Sequence, residues 1–420
     1  MVLLKNCKIV SENSINEADI LIEDRIIQKI GKNIEYSGEK IDLTGKYVFP
    51  GIIDSHVHFR WGNSEKEDFV SGSEAAIFGG VVFAIDMPNN NPPVTTKEIF
   101  YKKMNEGNEK SKVNLYFSYG VTENNYLETI SDAKFYKIFT VKSVGDLFIS
   151  DYSKLREILD QNKIFAVHAE HKDVILKNSE TYNLDSFENH CKIRSRESEI
   201  EAVREILDAL KEVDKNSRNT PHVHFCHISV KEALELIKNA KKMFKNVKIS
   251  VEVSPHHLFL NSEMAGNLKG SGKFNPPLRT KEDNLALLNG IIEGTVDIVS
   301  TDHAPHKDCE KLNPVENCPS GISGIETLVP LIMNLVHDKK ISIFDVYRVL
   351  SKNPSEIFKI NNKIEIGNFA NMSIIDLDKK MTISGKNFKS KSKITPFENW
   401  EVMGVPVYTI VNGNIIQTNI

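Results

Sequence analysis

Between residues 50 and 366, short apolar segments alternate with stretches of helical periodicity, and this alternation restricts the fold more than any other feature. Eight segments are candidate strands: Ile52–His58, Val81–Asp86, Val113–Tyr119, Phe135–Thr140, Ile164–His168, His222–His227, Lys248–Val253 and Val296–Thr301. Helical stretches intervene at Phe69–Phe78, Lys97–Glu106, Lys154–Gln161, Ile200–Val213, Lys231–Phe244 and Lys281–Glu293. Parallel strands need such crossovers, and eight strand–helix units form a (β/α)8 barrel. The sequence therefore predicts an α/β fold with a TIM-type barrel over residues 50–366.

The two ends of the chain have a different pattern, with short strands separated by turn residues. Residues 1–49 read as a β-meander, and residues 367–420 repeat that style, with Asn412-Gly413 as a hairpin turn. Neither piece is large enough to be stable alone. We expect residues 1–49 and 367–420 to form one small β-sandwich domain beside the barrel.

Composition excludes several classes of partner. The chain of 420 residues has a formal net charge of −4, which gives no reason to expect nucleic acid or an anionic membrane. No run approaches the roughly 18 apolar residues that a membrane span needs, and the first residues do not resemble a signal peptide. The five cysteines are scattered without a Cys-x-x-Cys pair, so reduced thiols and a cytoplasmic location are expected.

The first candidate strand ends in His56-Val57-His58, with Arg60 two residues further on. Side chains alternate along a strand, so these three residues would share one face. Two imidazoles on one face are able to bind one metal ion, and a guanidinium beyond them is able to hold an anion near that metal. The alternative for an isolated His-x-His is a polar pair on a solvated strand face.

Further potential ligands fall in or at the ends of other predicted strands: Lys137, His168, His227 and Asp302. In a (β/α)8 barrel the chemistry gathers at the carboxyl ends of the strands. Four histidines, one aspartate and a bridging group fit two divalent metals about 3.5–4 Å apart with an activated water between them. Zinc is the first expectation from these ligand types, and cobalt or manganese would also fit.

The bridging group is the open point of this set. An ammonium does not bridge two cations, whereas a carbamate formed from a lysine and CO2 is anionic and offers two oxygens. The residues alone do not separate Lys137 from nearby Asp132, Lys142 or Asp146. A plain surface or salt-bridged lysine is the alternative.

Nearly the whole chain resembles the dihydroorotases of the amidohydrolase superfamily, within the dihydroorotase, allantoinase and hydantoinase group. The most specific motifs are Gly51-Ile-Ile-Asp-Ser-His-Val-His-Phe-Arg60, Met87-Pro-Asn-Asn-Asn-Pro-Pro93, Val167-His-Ala-Glu170, Phe274-Asn-Pro-Pro-Leu-Arg279, Thr301-Asp-His-Ala-Pro-His306 and Pro319-Ser-Gly-Ile-Ser-Gly-Ile-Glu326. By this resemblance His56, His58 and Asp302 bind the more buried metal. His168 and His227 bind the second, and a carboxylated Lys137 bridges both.

The resemblance also implies a substrate site. Arg60, Asn89 and His306 would hold a carboxylate, while Asn275 and the backbone of Ser320-Gly321 would meet ring amides. Asp302 would move the proton. Some bacterial members carry an aspartate slightly later in the Lys137 loop, but Phe139–Val144 has no acid here, which favours Lys137. His256 and His257 are expected to support a loop, and Ala304–Ser323 is long enough to act as a substrate loop.

The activity that the resemblance implies is the reversible cyclisation of N-carbamoyl-L-aspartate to L-dihydroorotate in pyrimidine synthesis. Arg60 favours this acidic substrate, because hydantoins, dihydrouracil and allantoin lack the carboxylate that a guanidinium near the metals would pair with. A hydantoinase, dihydropyrimidinase or allantoinase is the nearest alternative, and a non-catalytic scaffold for a carbamoyltransferase is a more distant one. Expected partners are the small-molecule substrate, further copies of the chain, or an aspartate carbamoyltransferase.

Overall fold

Alternating apolar and polar segments form seventeen strands in the computed structural model, which describes residues 1–418. In chain order they are β1 (Val2–Val10), β2 (Ile15–Glu23), β3 (Ile26–Gly31), β4 (Lys40–Asp42), β5 (Tyr47–Pro50), β6 (Ile52–Val57), β7 (Val81–Asp86), β8 (Asn114–Phe117), β9 (Tyr119–Gly120), β10 (Tyr136–Phe139), β11 (Ile164–His168), β12 (His222–Phe225), β13 (Lys248–Val253), β14 (Ile298–Val299), β15 (Met372–Thr382), β16 (Glu401–Val411) and β17 (Asn414–Gln417). The predicted strands Val81–Asp86, Ile164–His168 and Lys248–Val253 are confirmed to the residue.

Fourteen α-helices connect the strands of the described part of the chain. They are α1 (Phe69–Phe78), α2 (Lys97–Lys110), α3 (Leu155–Leu159), α4 (Lys172–Thr181), α5 (Phe187–Ile193), α6 (Arg196–Asn216), α7 (Lys231–Met243), α8 (Pro255–Phe259), α9 (Ser262–Leu268), α10 (Lys281–Ile292), α11 (Asp308–Lys311), α12 (Leu328–His337), α13 (Ile343–Tyr347) and α14 (Asn353–Ile357). Within residues 1–418 none of these helices has both the length and the apolar character to span a membrane.

Two parallel sheets occupy the middle of the chain. One has the order β14-β13-β12-β11-β10-β9 and the other the order β6-β7-β8. Only Ser118 separates β8 from β9, and a parallel bridge joins Val57 to His303, just beyond β14. The sheets are therefore neighbours at both ends. Since all these strands run the same way, their carboxyl ends meet at one edge.

A third sheet contains strands from both ends of the chain. Its order is β17-β16-β15-β5-β1-β2-β3, with β4 paired to β1. The two ends meet where β5 and β15 pair antiparallel, with Pro50 opposite Met372. Buried apolar residues of both ends, such as Leu4, Ile20 and Ile374, share one small core. Each terminal segment is too small to be stable alone, and this pairing lets the two segments share one core.

The main core lies between the parallel sheets and their helices. Helix α6 shows how the sequence produces it, because Ala202, Val203, Ile206 and Leu210 recur at helical spacing and are buried. Burial of each of the larger aliphatic side chains contributes about 1.5–3 kcal/mol to the stability of the fold. At α1 the packing is so close that a Cβ on Gly72 would lie 2.4 Å from Cδ1 of Phe59. Glycine there lets α1 approach the strand end that carries the candidate site.

Several elements differ from the sequence-based prediction. The strand predicted over Val296–Thr301 is shorter in the structure, where β14 covers only Ile298–Val299. The strand predicted to end at His58 ends at Val57. Helices α4, α5, α8, α9 and α11 to α14 were missed. All of them except α4 and α12 have seven residues or fewer, which is too short for helical periodicity to show. The loop Ala304–Ser323 contains one short helix, α11.

Candidate active site

The carboxyl edge of the parallel strands brings the predicted site residues together. His168 ends β11, while His58, His227 and Asp302 follow directly or shortly after β6, β12 and β14. A cavity of about 460 Å³ opens at this edge. Eleven of the twelve predicted residues line it: His56, His58, Arg60, Asn89, His168, His227, Asn275, Asp302, His306, Ser320 and Gly321. Lys137, the twelfth, is fully buried in β10.

Three of these residues have left-handed backbone conformations, with φ of 55° at Arg60, 35° at His227 and 50° at Asp302. The expectation that strand alternation continues from His56 to Arg60 is therefore wrong. The strand stops because the His58 amide donates to His303 O at 2.7 Å and the Phe59 amide to Asp86 Oδ1 at 2.7 Å. Such conformations cost on the order of 1 kcal/mol each and concentrate at functional sites.

His56 and His58 converge on Asp302. Their Nε2 atoms lie 3.3 and 3.0 Å from the same oxygen, Asp302 Oδ1. The other ring nitrogen of His56, Nδ1, lies 2.8 Å from Glu252 Oε1. Burial lowers the pKa of His58 to about 4, so its ring is neutral and has a lone pair to offer. Burial raises the pKa of Asp302, but His56 and His58 outweigh it and hold the pKa well below its ordinary value.

His168 and His227 form a second pair beside the first. His168 Nδ1 lies 3.1 Å from His227 Nε2, and the ring centroids of His56 and His227 are 5.2 Å apart. Burial lowers the pKa of both His168 and His227, so these rings are neutral too. His168 Nε2 lies 2.8 Å from Glu170, whose carboxylate also binds Arg194.

Lys137 lies behind the histidines. Its Nζ donates to Cys226 Sγ at 2.9 Å, and within residues 1–418 it forms no ion pair with a carboxylate. Burial is the largest cause of the lowered pKa at His168 and His227, and the charge of Lys137 adds to it. At His56, burial and the charge of Lys137 are outweighed by Glu252 and Asp302, which raise the pKa to about 10. The side chain therefore lies among the imidazoles of both pairs.

These donors fit divalent metals. Ring nitrogens and carboxylate oxygens of His56, His58 and Asp302 lie within 4.8 Å of one another, as do the donor atoms of His56, Cys226 and Glu252. His227 Nδ1 is buried without a hydrogen-bond partner among the described residues. A buried ring nitrogen without a partner is unfavourable alone, and a metal cation bound to it would supply that partner.

The part of the cavity lining around Arg60 and His306, here called the cationic end, is positively charged. Arg60 Nε donates to Pro305 O at 3.0 Å, and its Nη2 lies 3.0 Å from His306 Nε2. Burial lowers the pKa of Arg60 to about 10, so the group stays charged at neutral pH. In residues 1–418 no carboxylate pairs with it, which leaves the cation without an anionic partner.

Amide groups complete the lining. Asn89 Oδ1 is buried without a partner in residues 1–418, and Ser320 Oγ donates to Asn275 Oδ1 at 3.2 Å. The Asn275 segment is supported from behind, as predicted: His257 Nε2 lies 3.1 Å from Pro276 O, and His256 stacks on Phe274 with ring centroids 4.1 Å apart.

Sequence reasoning missed the supporting carboxylates and two cations: Glu170, Glu252, Arg194 and Lys66. Glu252 had a signal, since it is the one acid in the apolar run Ile249–Val253. An acid inside a buried strand needs a partner, but the sequence does not show which. The partner of Lys66 is His306, 240 positions away.

Comparisons with known proteins identify the family of this chain. Residues 47–416 match the amidohydrolase family. Dihydroorotases of Methanosarcina acetivorans and Fusobacterium nucleatum are 35% and 36% identical, covering 98% of this chain and 91% and 97% of the relatives. The solved L-hydantoinase (dihydropyrimidinase) from Arthrobacter aurescens has a TM-score of 0.91 at 26% identity, covering 99% of this chain and 96% of that one. The chain belongs to the amidohydrolase family, among relatives named dihydroorotase.

Proposed function

We propose that this enzyme interconverts N-carbamoyl-L-aspartate and L-dihydroorotate. The observation that carries the proposal is Arg60, a cation at the cavity wall with no carboxylate partner among the described residues. An unpaired guanidinium in a partly desolvated site is costly, and a substrate carboxylate satisfies it with paired hydrogen bonds. The dihydroorotase relatives support the same substrate.

We also propose the architecture in which this reaction occurs. The two parallel sheets form one closed (β/α)8 barrel over residues 50–366, supported by the continuity of β8 with β9 and by the bridge from Val57 to His303. Residues 1–49 and 367–420 form the second domain, supported by the sheet that they share. The similarity of the whole chain to the Arthrobacter aurescens L-hydantoinase supports a shared architecture.

Two divalent metals complete the site in this proposal. His56, His58 and Asp302 would hold one, His168 and His227 would hold the other, and Lys137 carboxylated by CO2 would bridge them. Zinc is the first choice for imidazole and carboxylate donors. When bound, such a pair polarises the amide carbonyl and lowers the pKa of a water, which makes it a nucleophile at neutral pH.

Asp302 moves the proton. Its depressed pKa keeps the carboxylate ionised, and Oδ1 faces the cavity between His56 and His58. In the hydrolytic direction it accepts the proton of the attacking water and then delivers that proton to the leaving ring nitrogen. In cyclisation the same carboxylate takes the proton from the ureido nitrogen.

The remaining lining residues orient the ring. Arg60, Asn89 and His306 would bind the carboxylate, which places the amide carbonyl toward the histidines at the other end of the cavity. Asn275 and the backbone of Ser320-Gly321 would hydrogen-bond the ring amides. Asn89 would donate to the carboxylate through its NH2 group, while its unsatisfied Oδ1 is free to accept from an N–H of the ligand.

A substrate panel tests the proposal. We expect the zinc-loaded protein to turn over dihydroorotate with a kcat/KM about 100-fold or more above that for hydantoin, dihydrouracil or allantoin, because those lack the carboxylate. A preference for hydantoin would favour the hydantoinase alternative, which the fold of the structural relatives also allows. Metal content near zero with no turnover would favour the scaffold.

Lys137→Ala tests the carbamate separately. We expect it to lose activity and to regain part of it with added acetate or propionate, since a free carboxylate replaces the bridging oxygens. Lys137→Gln, which keeps length without forming a carbamate, is the control. Full activity without additives would contradict the bridge.

Assembly also belongs to the proposal. The resemblance supports a homo-oligomer or a complex with an aspartate carbamoyltransferase. Light scattering of the chain alone and mixed with that enzyme distinguishes the two, and a monomer in both samples would contradict both.

A further inference from the structure

The imidazole of His306 contacts three polar groups, and a neutral ring does not form a hydrogen bond with all three at once. Lys66 Nζ lies 2.9 Å from its Nδ1. On the other side of the ring, Nε2 lies 3.0 Å from Ser320 O and 3.0 Å from Arg60 Nη2. Lysine and arginine have only donors to offer, and a backbone carbonyl only accepts.

The protonation state of this ring follows from its surroundings. Burial lowers the pKa of His306 far below its usual range, and the cations of Arg60, Lys66 and Lys311 lower it further. The ring is therefore neutral, with one N–H and one lone pair. Because an ammonium must donate, Lys66 selects the form with the lone pair on Nδ1 and the hydrogen on Nε2.

This tautomer leaves one contact unsatisfied. The Nε2–H donates to Ser320 O, so it does not accept from Arg60 Nη2, and the two N–H groups stand side by side. One anionic oxygen placed between them would accept from Arg60 Nη2 and share the Nε2–H of His306 with Ser320 O. The competing influence is weaker, since the carboxylate of Glu310 lies 3.8 Å from Nδ1 and also pairs with Lys66 at 3.2 Å.

We propose that Lys66 is a positioning residue for substrate binding, which fixes His306 as an Nε2–H donor beside Arg60. This inference rests on the proposed function and extends it. Without Lys66 the ring is free to carry its hydrogen on Nδ1, toward Glu310, and Nε2 would then accept from Arg60. That exchange would remove two donors from the carboxylate site at once.

Lys66→Met tests the catalytic consequence. For the zinc-loaded enzyme we expect KM for dihydroorotate to rise about tenfold, the effect of roughly one hydrogen bond to a charged group, while kcat stays within about twofold. Lys66→Arg, which also has only donors, should restore most of the affinity. Lys307→Met is the matched control, because it removes the adjacent cation, which pairs with Glu65 instead of His306.

The tautomer is measurable without turnover. In protein labelled with 15N-histidine, the protonated and bare ring nitrogens of His306 give well-separated signals, assigned by their loss in His306→Gln. We expect Nε2–H in the wild-type holoenzyme and a shift toward Nδ1–H in Lys66→Met. Nδ1–H in the wild type would overturn the proposal, whether or not Lys66→Met folds. So would equal KM values for Lys66→Met and Lys307→Met.

The two readouts separate the inference from the function beneath it. Wild-type protein that fails to convert dihydroorotate contradicts the proposed function, and the histidine spectrum still reports the tautomer. Normal turnover with Nδ1–H contradicts only the role of Lys66.

Discussion

The two parts of the active-site cavity, the histidine end and the cationic end around Arg60, differ in how their charges are compensated. At the histidine end, His56 contacts Glu252, His168 contacts Glu170, and both carboxylates are buried. At the other end, Arg60 has only a carbonyl and an imidazole as partners within residues 1–418. The first end is internally compensated, whereas the second keeps an unpaired positive charge.

This difference indicates what each end requires from outside. The carboxylates orient their imidazoles before any ligand arrives, which is how supporting residues tune metal ligands. The cationic end is complete only when an anion binds. Substitutions at the two ends should therefore separate metal content from substrate affinity.

Asp302 lies where the two ends meet, and its substitution should have the largest effect. In Asp302→Asn the group that we propose to move the proton is lost, so we expect kcat to fall about 10² to 10⁴-fold. Metal content, measured by atomic emission on the same sample, distinguishes lost proton transfer from lost ligand. Unchanged turnover would show that another group carries the proton.

Arg60→Met should act on the cationic end alone. We expect KM for dihydroorotate to rise about 100-fold, because hydrogen bonds to a charged partner are worth about 3 kcal/mol, with the metals retained. Hydrolysis of a neutral cyclic amide should hardly change. Loss of metal in this variant would mean that Arg60 is structural, and the distinction between the two ends would fail.

Glu252→Gln should act on the histidine end alone. The amide orients His56 less firmly, so we expect metal affinity about 10- to 100-fold weaker by chelator competition. At saturating metal, KM for substrate should stay near the wild-type value. A change in KM without a change in metal affinity would reverse the assignment.

Glu326 is a buried carboxyl that does not line the cavity, and its substitution should affect catalysis least. Burial raises its pKa to about 7, and the described part of the chain offers it only the backbone amides of Lys389 and Ser390 as donors. The folded state therefore binds more protons than the unfolded one between pH 4.5 and 7, so stability falls as pH rises through that window. Between pH 5 and 7 the free energy of unfolding should therefore fall by about 2 kcal/mol more in the wild type than in Glu326→Gln, as measured by denaturant titrations at the two pH values. Parallel pH profiles would contradict the raised pKa.

Sequence patterns predicted most of the parallel strands and the residues at their ends, but few of the contacts that support the site residues. A polar residue that ends an apolar strand, such as His168, has one available place in a parallel sheet, so its position could be predicted. The backbone of Arg60 could not, because its left-handed turn depends on hydrogen bonds from the preceding residues to His303 and Asp86. Contacts such as Lys66 with His306 join distant segments, and no local periodicity records them.

The pairing of β5 with β15 has a consequence for synthesis of the chain. About 320 residues separate Pro50 from its partner Met372. At a ribosomal rate of roughly 5–20 residues per second, β5 waits on the order of 20 to 60 s before that partner emerges. During this interval its edge is open to wrong partners. Nascent chains halted before Met372 should therefore recruit chaperones through this strand, and a circular permutant that places β15 ahead of β1 should shorten the exposure.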